Sequence, residues 1–178
     1  MTSTLTLSRP AQASSQTALD FEALYRSARD DVFAYVATFL TDRSAAEDVT
    51  ALAFERAFRK QRSFDLRKGS QRAWLFGIAR NAALDELRRR KRQATLVAEP
   101  EDLRAIAVDD QAEALLRRAA VRAALARLTP RDRELIALKF HAGLDNAELA
   151  AVVGVSPSNA GTLLHRAMTK LRETLDAN

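Results

Sequence analysis

From Ser70 to Arg92 the chain runs S-Q-R-A-W-L-F-G-I-A-R-N-A-A-L-D-E-L-R-R-R-K-R, with no proline and one glycine. A stretch of this length, built mostly from good helix formers, predicts one long helix. At about 100° per residue, Leu75, Phe76, Ile78, Ala79, Ala82 and Ala83 fall on one side, a stripe that faces a core. Trp74, Asn81, Asp85, Arg88 and Arg92 fall on another narrow arc, and the helix closes in five consecutive bases, Arg88 to Arg92. An aromatic ring, an amide and arginines on one stripe suit a negatively charged strand with exposed bases. A plainer arrangement fits the same residues: Trp74 in the core, and the bases as a solvated face favoured by the dipole at the helix C-terminus.

The rest of the chain carries the same helical signature. Only five glycines and four prolines occur in 178 residues, and two of the prolines stand where helices should start. With 47% apolar residues a core is within reach, so the expected class is all-α, as two small helical domains joined by a linker. Residues 1–16, rich in Ser and Thr and without a helical period, read as a disordered leader. Residues 17–92 form the first domain. In its first helix Phe21, Leu24, Tyr25, Ala28, Val32, Tyr35, Val36 and Phe39 follow three- and four-residue spacing. Ser44, with Glu47 three residues on, is the expected capping box of the second helix. On that helix Ala46, Val49, Ala53, Phe54 and Ala57 face one way, and Asp48, Glu55 and Arg59 face the other with Leu52 among them. A leucine inside a charged stripe suits a helix-on-helix partner surface, although single exposed leucines are common. Residues 61–69 break the period and interleave Phe64 and Leu66 with Arg62, Arg67 and Lys68. Such a loop suits a pocket for an unstacked base, or a solvated loop with its apolar residues tucked inward.

Residues 93–112 change character, with Pro100 and an acid-rich run against one arginine, and read as an acidic linker. Residues 113–178 form the second domain. Thr129-Pro130-Arg131-Asp132 is a helix start, with Thr as N-cap and Pro at the first helical position. Asp145 and Glu148 repeat the cap logic for a short helix that ends near Val153, and Ser156-Pro157 starts a last helix after the Gly154-Val155 turn. This is the helix-turn-helix pattern. Its second helix has an apolar face of Ala160, Leu164, Ala167, Met168, Leu171 and Leu175. In such motifs the second helix enters the major groove. Asn159 suits adenine edges and Ser158 or Thr162 less specific contacts, with His165, Arg166, Lys170 and Arg172 placed for phosphates. An ordinary helical hairpin with a polar face has the same pattern.

Other chemistries find little support. The chain has no cysteine and only two histidines, His141 and His165, so no disulfide forms and no metal site is expected. No apolar run approaches 18 residues, so membrane insertion is not expected, and the N-terminus lacks a signal core; the expected compartment is the cytoplasm. No carboxylate pair, nucleophile–base pair or phosphate loop stands out, which argues against an enzyme, a small-molecule substrate or a cofactor.

Four stretches, in this order, carry a resemblance: A-E-D-V-T-A-L-A-F-E-R-A-F-R at 46–59, W-L-F-G-I-A-R-N-A-A-L-D-E-L-R-R-R-K-R at 74–92, L-T-P-R-D-R-E-L-I-A-L at 128–138, and A-E-L-A-A-V-V-G-V-S at 147–156 with L-H-R-A at 164–167. Over residues 18–177 the chain resembles a bacterial RNA polymerase sigma factor of the extracytoplasmic-function type. The resemblance implies a sigma-2 domain, a linker and a sigma-4 domain, no catalysis in this chain, and core RNA polymerase, promoter DNA and an anti-sigma factor as partners. By resemblance, Asp48, Leu52, Glu55 and Arg59 dock on the clamp of the largest polymerase subunit. Phe64, Arg67, Lys68, Arg80, Asn81, Arg88, Arg89 and Arg92 serve the −10 element. Ser158, Asn159, Thr162, His165, Arg166 and Lys170 serve the −35 element. The resemblance also places Trp74 between helices rather than on DNA.

One departure concerns the recognition helix, where members often carry Lys or Arg and this chain has Gly161 and Leu163. Gly161 weakens that helix by about 1 kcal/mol relative to Ala. Fewer cations imply weaker, less salt-sensitive binding by this domain, which close backbone approach at Gly161 could offset. Two other readings compete with a promoter-specificity subunit. One is a sigma mimic that sequesters an anti-sigma factor without touching DNA. The other is a plain helix-turn-helix regulator, which leaves residues 18–92 without a role.

Overall fold

A computed structural model of the chain describes residues 19–94 and 112–177. The expected leader and most of the expected acidic linker lie outside the described residues. The described residues form seven α-helices and no strands: α1 Phe21–Val36, α2 Arg43–Lys60, α3 Gln71–Ala94, α4 Ala112–Ala126, α5 Pro130–Phe140, α6 Asn146–Val153 and α7 Pro157–Asp176. The loop expected between α2 and α3 is tightened by two short 3-10 turns, Gln61–Ser63 and Leu66–Lys68.

Most of the expected helix starts are made by the expected residues. The Thr129 hydroxyl accepts from the Asp132 N–H, Ser156 accepts from the Asn159 N–H, and Asp145 with Glu148 closes a reciprocal capping box. Ser44 is the exception. The cap of α2 is Asp42, whose carboxylate accepts the Ser44 N–H at 3.1 Å from extended backbone just before the helix. Glu47, freed from capping, pairs with Arg43 at 2.9 Å instead. At Asp42 a carboxylate offers the stronger acceptor, and Ser44 then lies inside the first turn.

The α1, α2 and α3 helices pack around Leu24, Val32, Tyr35, Val49, Phe54, Leu75 and Phe76, with the Tyr35 and Phe76 rings edge-on at 5.4 Å. This core does not stop at the end of α3. Leu135, Leu138, Leu144, Leu149 and Ala150 from α5, α6 and their connection belong to the same buried cluster. A smaller cluster, Ala124, Leu128, Ile136, Ala167 and Leu171, holds α4, α5 and α7 together. The two helical units therefore share one apolar interior.

Polar contacts pin the same junction. The Arg72 guanidinium donates to the backbone carbonyls of His141 and Ala142 at 2.9 Å each and pairs with Asp31 at 2.7 Å. Arg80 of α3 forms an ion pair with Glu134 of α5, whose side chain is only 9% exposed. Beside them the Tyr35 phenol is buried without a hydrogen-bond partner among the described residues. Burial first, then the Glu134 carboxylate, holds its pKa far above the usual phenol range.

Candidate polymerase and nucleic-acid interfaces

The α2 stripe is presented outward as the spacing predicts. Asp48, Glu55 and Arg59 are exposed. Arg59 and Glu55 pair at 2.6 Å across one helical turn, a contact that water and salt leave with little net worth. Leu52 is half-buried, its inner side packed on the core. Phe58, one position before Arg59, is 56% exposed and stacks edge-on against Phe21 at 5.2 Å. Its periodicity assigned it to neither face, so sequence reasoning missed it.

The α2–α3 corner gathers the second group. Phe64 is half-buried and lies 5.4 Å from the Trp74 ring, which is itself half-buried against the core. Trp74 is thus packed at a helix corner, as the resemblance implies. Arg67 is highly exposed and makes a two-pronged pair with Asp65 at 3.0 and 2.9 Å. That pair draws the Asp65 carboxyl below, and raises the Arg67 guanidinium above, their ordinary values. Lys68 is exposed, and Gly69 at φ 142° turns the chain into α3, a backbone that side chains disfavour.

Along α3, Asn81, Arg88, Arg89 and Arg92 are exposed. Arg88 leans on Asp85 at 3.4 Å. Arg89 and Arg90 converge on Glu86 at 2.7 and 2.9 Å. The Arg89 hydrogen bond, opposed by burial and reinforced by Arg90, brings the Glu86 carboxyl to about 2. Arg80 departs from its expected role in this arrangement. It sits on the flank of α3 that meets α5, so Glu134 neutralises it and the neighbouring unit covers it.

The helix-turn-helix is α6, a turn with Gly154 at φ 75°, and α7. Ser158, Asn159, Thr162, His165 and Arg166 are exposed along one side of α7, and Ala160, Ala167 and Leu171 are buried on the other. Lys170 is exposed but committed to Asp132 at 2.7 Å. The Asp132 carboxyl is partly buried, which pulls its pKa up, yet hydrogen bonds from Lys170 and Thr129 leave it below the ordinary range. Leu163 is half-buried against the core, so it packs where a cation would protrude. Gly161 faces α6: a Cβ there would lie 3.2 Å from the Asn146 side-chain amide. A side chain at 161 would therefore start against the first helix of its own motif.

Arg72 and Glu134 are the contact residues that sequence reasoning passed over. Arg72 had a signal: it shares the 72, 76, 79 and 83 register of the α3 core stripe, and its guanidinium lies 5.6 Å from the Phe76 ring centre. A cation on a core stripe calls for a buried acceptor set. Glu134 had none, because its partner lies 54 positions away in the chain.

This arrangement agrees with what comparison with known proteins shows. The Sigma-70 region 2 family model matches residues 24–93, and the Sigma-70, region 4 model matches residues 118–171. The ECF RNA polymerase sigma factor SigC of Mycobacterium tuberculosis is 34% identical over 159 residues, covering 88% of this chain and 82% of SigC. BldN of Streptomyces coelicolor, also an ECF RNA polymerase sigma factor, is 32% identical over 158 residues; the match takes in 87% of this chain but only 60% of BldN. Among solved structures, the sigma factor RpoE, in complex with the anti-sigma factor NepR from Bartonella quintana, matches in fold with a TM-score of 0.77. That match has 24% identity and covers 89% of this chain and 98% of RpoE. Two sigma-70-type helical units in one chain define the class, and the chain belongs to the ECF RNA polymerase sigma factor family. No helix among the described residues is long and apolar enough to cross a membrane.

Proposed function

We infer that this chain is a promoter-specificity subunit of RNA polymerase, itself without catalysis, that selects start sites while the polymerase makes RNA. The observation that carries this reading is the pairing, in one chain, of a region 2 unit ending in an exposed basic helix with a region 4 unit whose recognition helix keeps its polar side outward. In this reading Asp48, Leu52, Glu55 and Arg59 dock α2 on the polymerase, with Phe58 at the edge of the contact. Phe64, Arg67, Lys68, Asn81, Arg88, Arg89 and Arg92 hold the opened −10 strand, where exposed bases stack and cations follow phosphates. Ser158, Asn159, Thr162, His165 and Arg166 face the −35 duplex, and Lys170 joins them only by giving up Asp132.

Arg80 joins the −10 group only when its pair with Glu134 is broken. The shared interior of the two units then describes a resting form, and engagement of both promoter elements requires the units to separate. An anti-sigma factor, the partner that RpoE has in its solved complex, would act by holding or covering this form. The test measures binding of the full chain to core polymerase and of the resulting complex to promoter fragments. Capture by core polymerase together with promoter-dependent DNA binding supports the reading. Anti-sigma binding with neither of these supports a sigma mimic and overturns it.

A further inference from the structure

Between the two 3-10 turns of the α2–α3 corner, Asp65 holds Arg67 at three points. Its Oδ1 accepts the Arg67 backbone N–H at 3.0 Å and so caps the Leu66–Lys68 turn. The same oxygen accepts from Arg67 Nε at 3.0 Å, and Oδ2 accepts from Nη2 at 2.9 Å. The carboxylate is 25% exposed and the arginine side chain 90%, so the guanidinium stands in water with its plane fixed. The backbone under the pair is held as well. Phe64 lies 5.4 Å from the Trp74 ring, and the Lys68 N–H closes the turn on the Asp65 carbonyl at 2.9 Å. A salt bridge this exposed adds little stability; its consequence is orientation. One edge of the fork is left over. Nη1, with the second hydrogen of Nη2, makes no hydrogen bond among the described residues. Arg89 differs on this point. Glu86 grips it in the same two-pronged way at 2.7 Å, but its Nη1 also donates to Gln93 at 3.2 Å.

We propose that this pair reads guanine in the −10 element: Arg67 donates through its open edge to O6 and N7 of one guanine, and Asp65 is the positioning residue that aims it. Two parallel donors from one arginine are the common specific contact to guanine. The other bases match that edge less well. Adenine offers one acceptor beside a donor, and thymine one acceptor beside a methyl group. Cytosine presents a donor there and frees its remaining acceptors only when unpaired, whereas guanine presents O6 and N7 both before and after the strands open. A phosphate is the other partner an arginine takes, and the carboxylate counts against it. Asp65 and Arg67 together carry no net charge, so a phosphate gains little there and releases few counterions. An unheld arginine loses rotamer freedom on binding, and Asp65 has removed much of that cost in advance. The proposal rests on the promoter-specificity reading, in which Arg67 follows the opened strand; it adds Asp65 and names the base.

The test uses the full chain bound to core polymerase and a promoter fragment whose start site has been mapped by transcription. Each position of the −10 element is set in turn to all four bases, and binding is measured over a salt series for wild type, D65N and R67A. Asn at 65 keeps an oxygen to cap the turn but puts a donor where Oδ2 took Nη2. D65N therefore separates aiming from folding, with thermal melting as the check. In wild type, guanine at one position should bind about 5- to 150-fold tighter than the other bases, the range of one bidentate contact. 7-Deazaguanine at that position, which lacks the N7 acceptor, should cost about 3- to 10-fold. R67A should bind the four fragments alike and ignore the 7-deaza change. D65N should also lose the preference, and its salt slope should steepen by about one as Arg67 turns to a phosphate. A merely structural Asp65 would weaken all four fragments equally and keep the preference, a result that overturns the proposal. So does the absence of any guanine preference that R67A removes. Wild type without promoter-dependent binding refutes instead the function reading, a failure this series separates from failure of the aiming pair.

Discussion

Breaking the ion pair between Arg80 and Glu134 tests how firmly the two helical units are joined. The Glu134 side chain is 9% exposed and that of Arg80 23%. Removing one partner of a buried pair leaves the other charge without compensation, at a cost of about 3–5 kcal/mol. The two single variants should differ. Arg80→Ala strands the carboxylate at the more buried site and should lie within that range, with the neighbouring Tyr35 hydroxyl the one donor left beside it. Glu134→Ala leaves a guanidinium that water reaches more easily, so the lower cost of an unsatisfied donor, about 1–3 kcal/mol, is expected. Replacing both with apolar residues, as in Arg80→Met with Glu134→Leu, should come close to neutral, because the desolvation cost disappears with the pair. Urea unfolding, followed by two signals, provides the assay. Trp74 is the only tryptophan and reports on the first unit, whereas far-ultraviolet circular dichroism reports on the helices of both units. In wild type the two transitions coincide, since one interior spans both units. In Arg80→Ala they separate. Single variants that cost under about 0.5 kcal/mol, with transitions still coincident, would refute the reasoning.

Three further outcomes are expected. Glu86 has a folded pKa of about 2 against an ordinary 4.5, so its contribution is complete above about pH 4.5 and is lost as pH falls toward 2. Acid titration of Glu86→Gln should lack that part of the pH dependence, and an unchanged profile contradicts the assignment. His141 is shifted the same way by a different cause: burial lowers its pKa, opposed by Asp31. Below the ordinary histidine value near 6.5 the unfolded chain takes up the proton first, so stability falls with pH there, and His141→Asn should flatten the slope. Asp145→Ala opens the capping box of α6 and should cost about 0.5–2 kcal/mol in thermal melting, with no change for the neighbouring exposed Ala147→Ser beyond a few tenths.

What was legible in the sequence was local. The caps at Thr129, Asp145 and Ser156, the α3 core stripe and the Gly154 turn each depend on residues within a few positions of one another, and periodicity captures them. The same holds for the outward faces of α2 and α7, whose polar residues alternate with the core at helical spacing. What was not legible was long-range pairing. Nothing near Arg80 distinguishes it from Arg88, yet one meets Glu134 across the junction and the other stays exposed on its own helix beside Asp85. Lys170 likewise reads as a phosphate ligand until Asp132, 38 positions earlier, is seen beside it. Ser44 lost its capping role to Asp42 by a choice between two good caps two positions apart, a difference that composition does not rank. Gly161 was legible as a weak point in a helix, but the neighbour it lies against, the amide of Asn146, is on another helix.

The most direct test of the account is transcription in vitro by core polymerase with and without this chain, with the start points mapped on genomic fragments. Discrete starts are expected only when the chain is present. Those starts should fade when Arg88, Arg89 and Arg92 are replaced together by alanine while capture by core polymerase persists. Identical start points with and without the chain would contradict it.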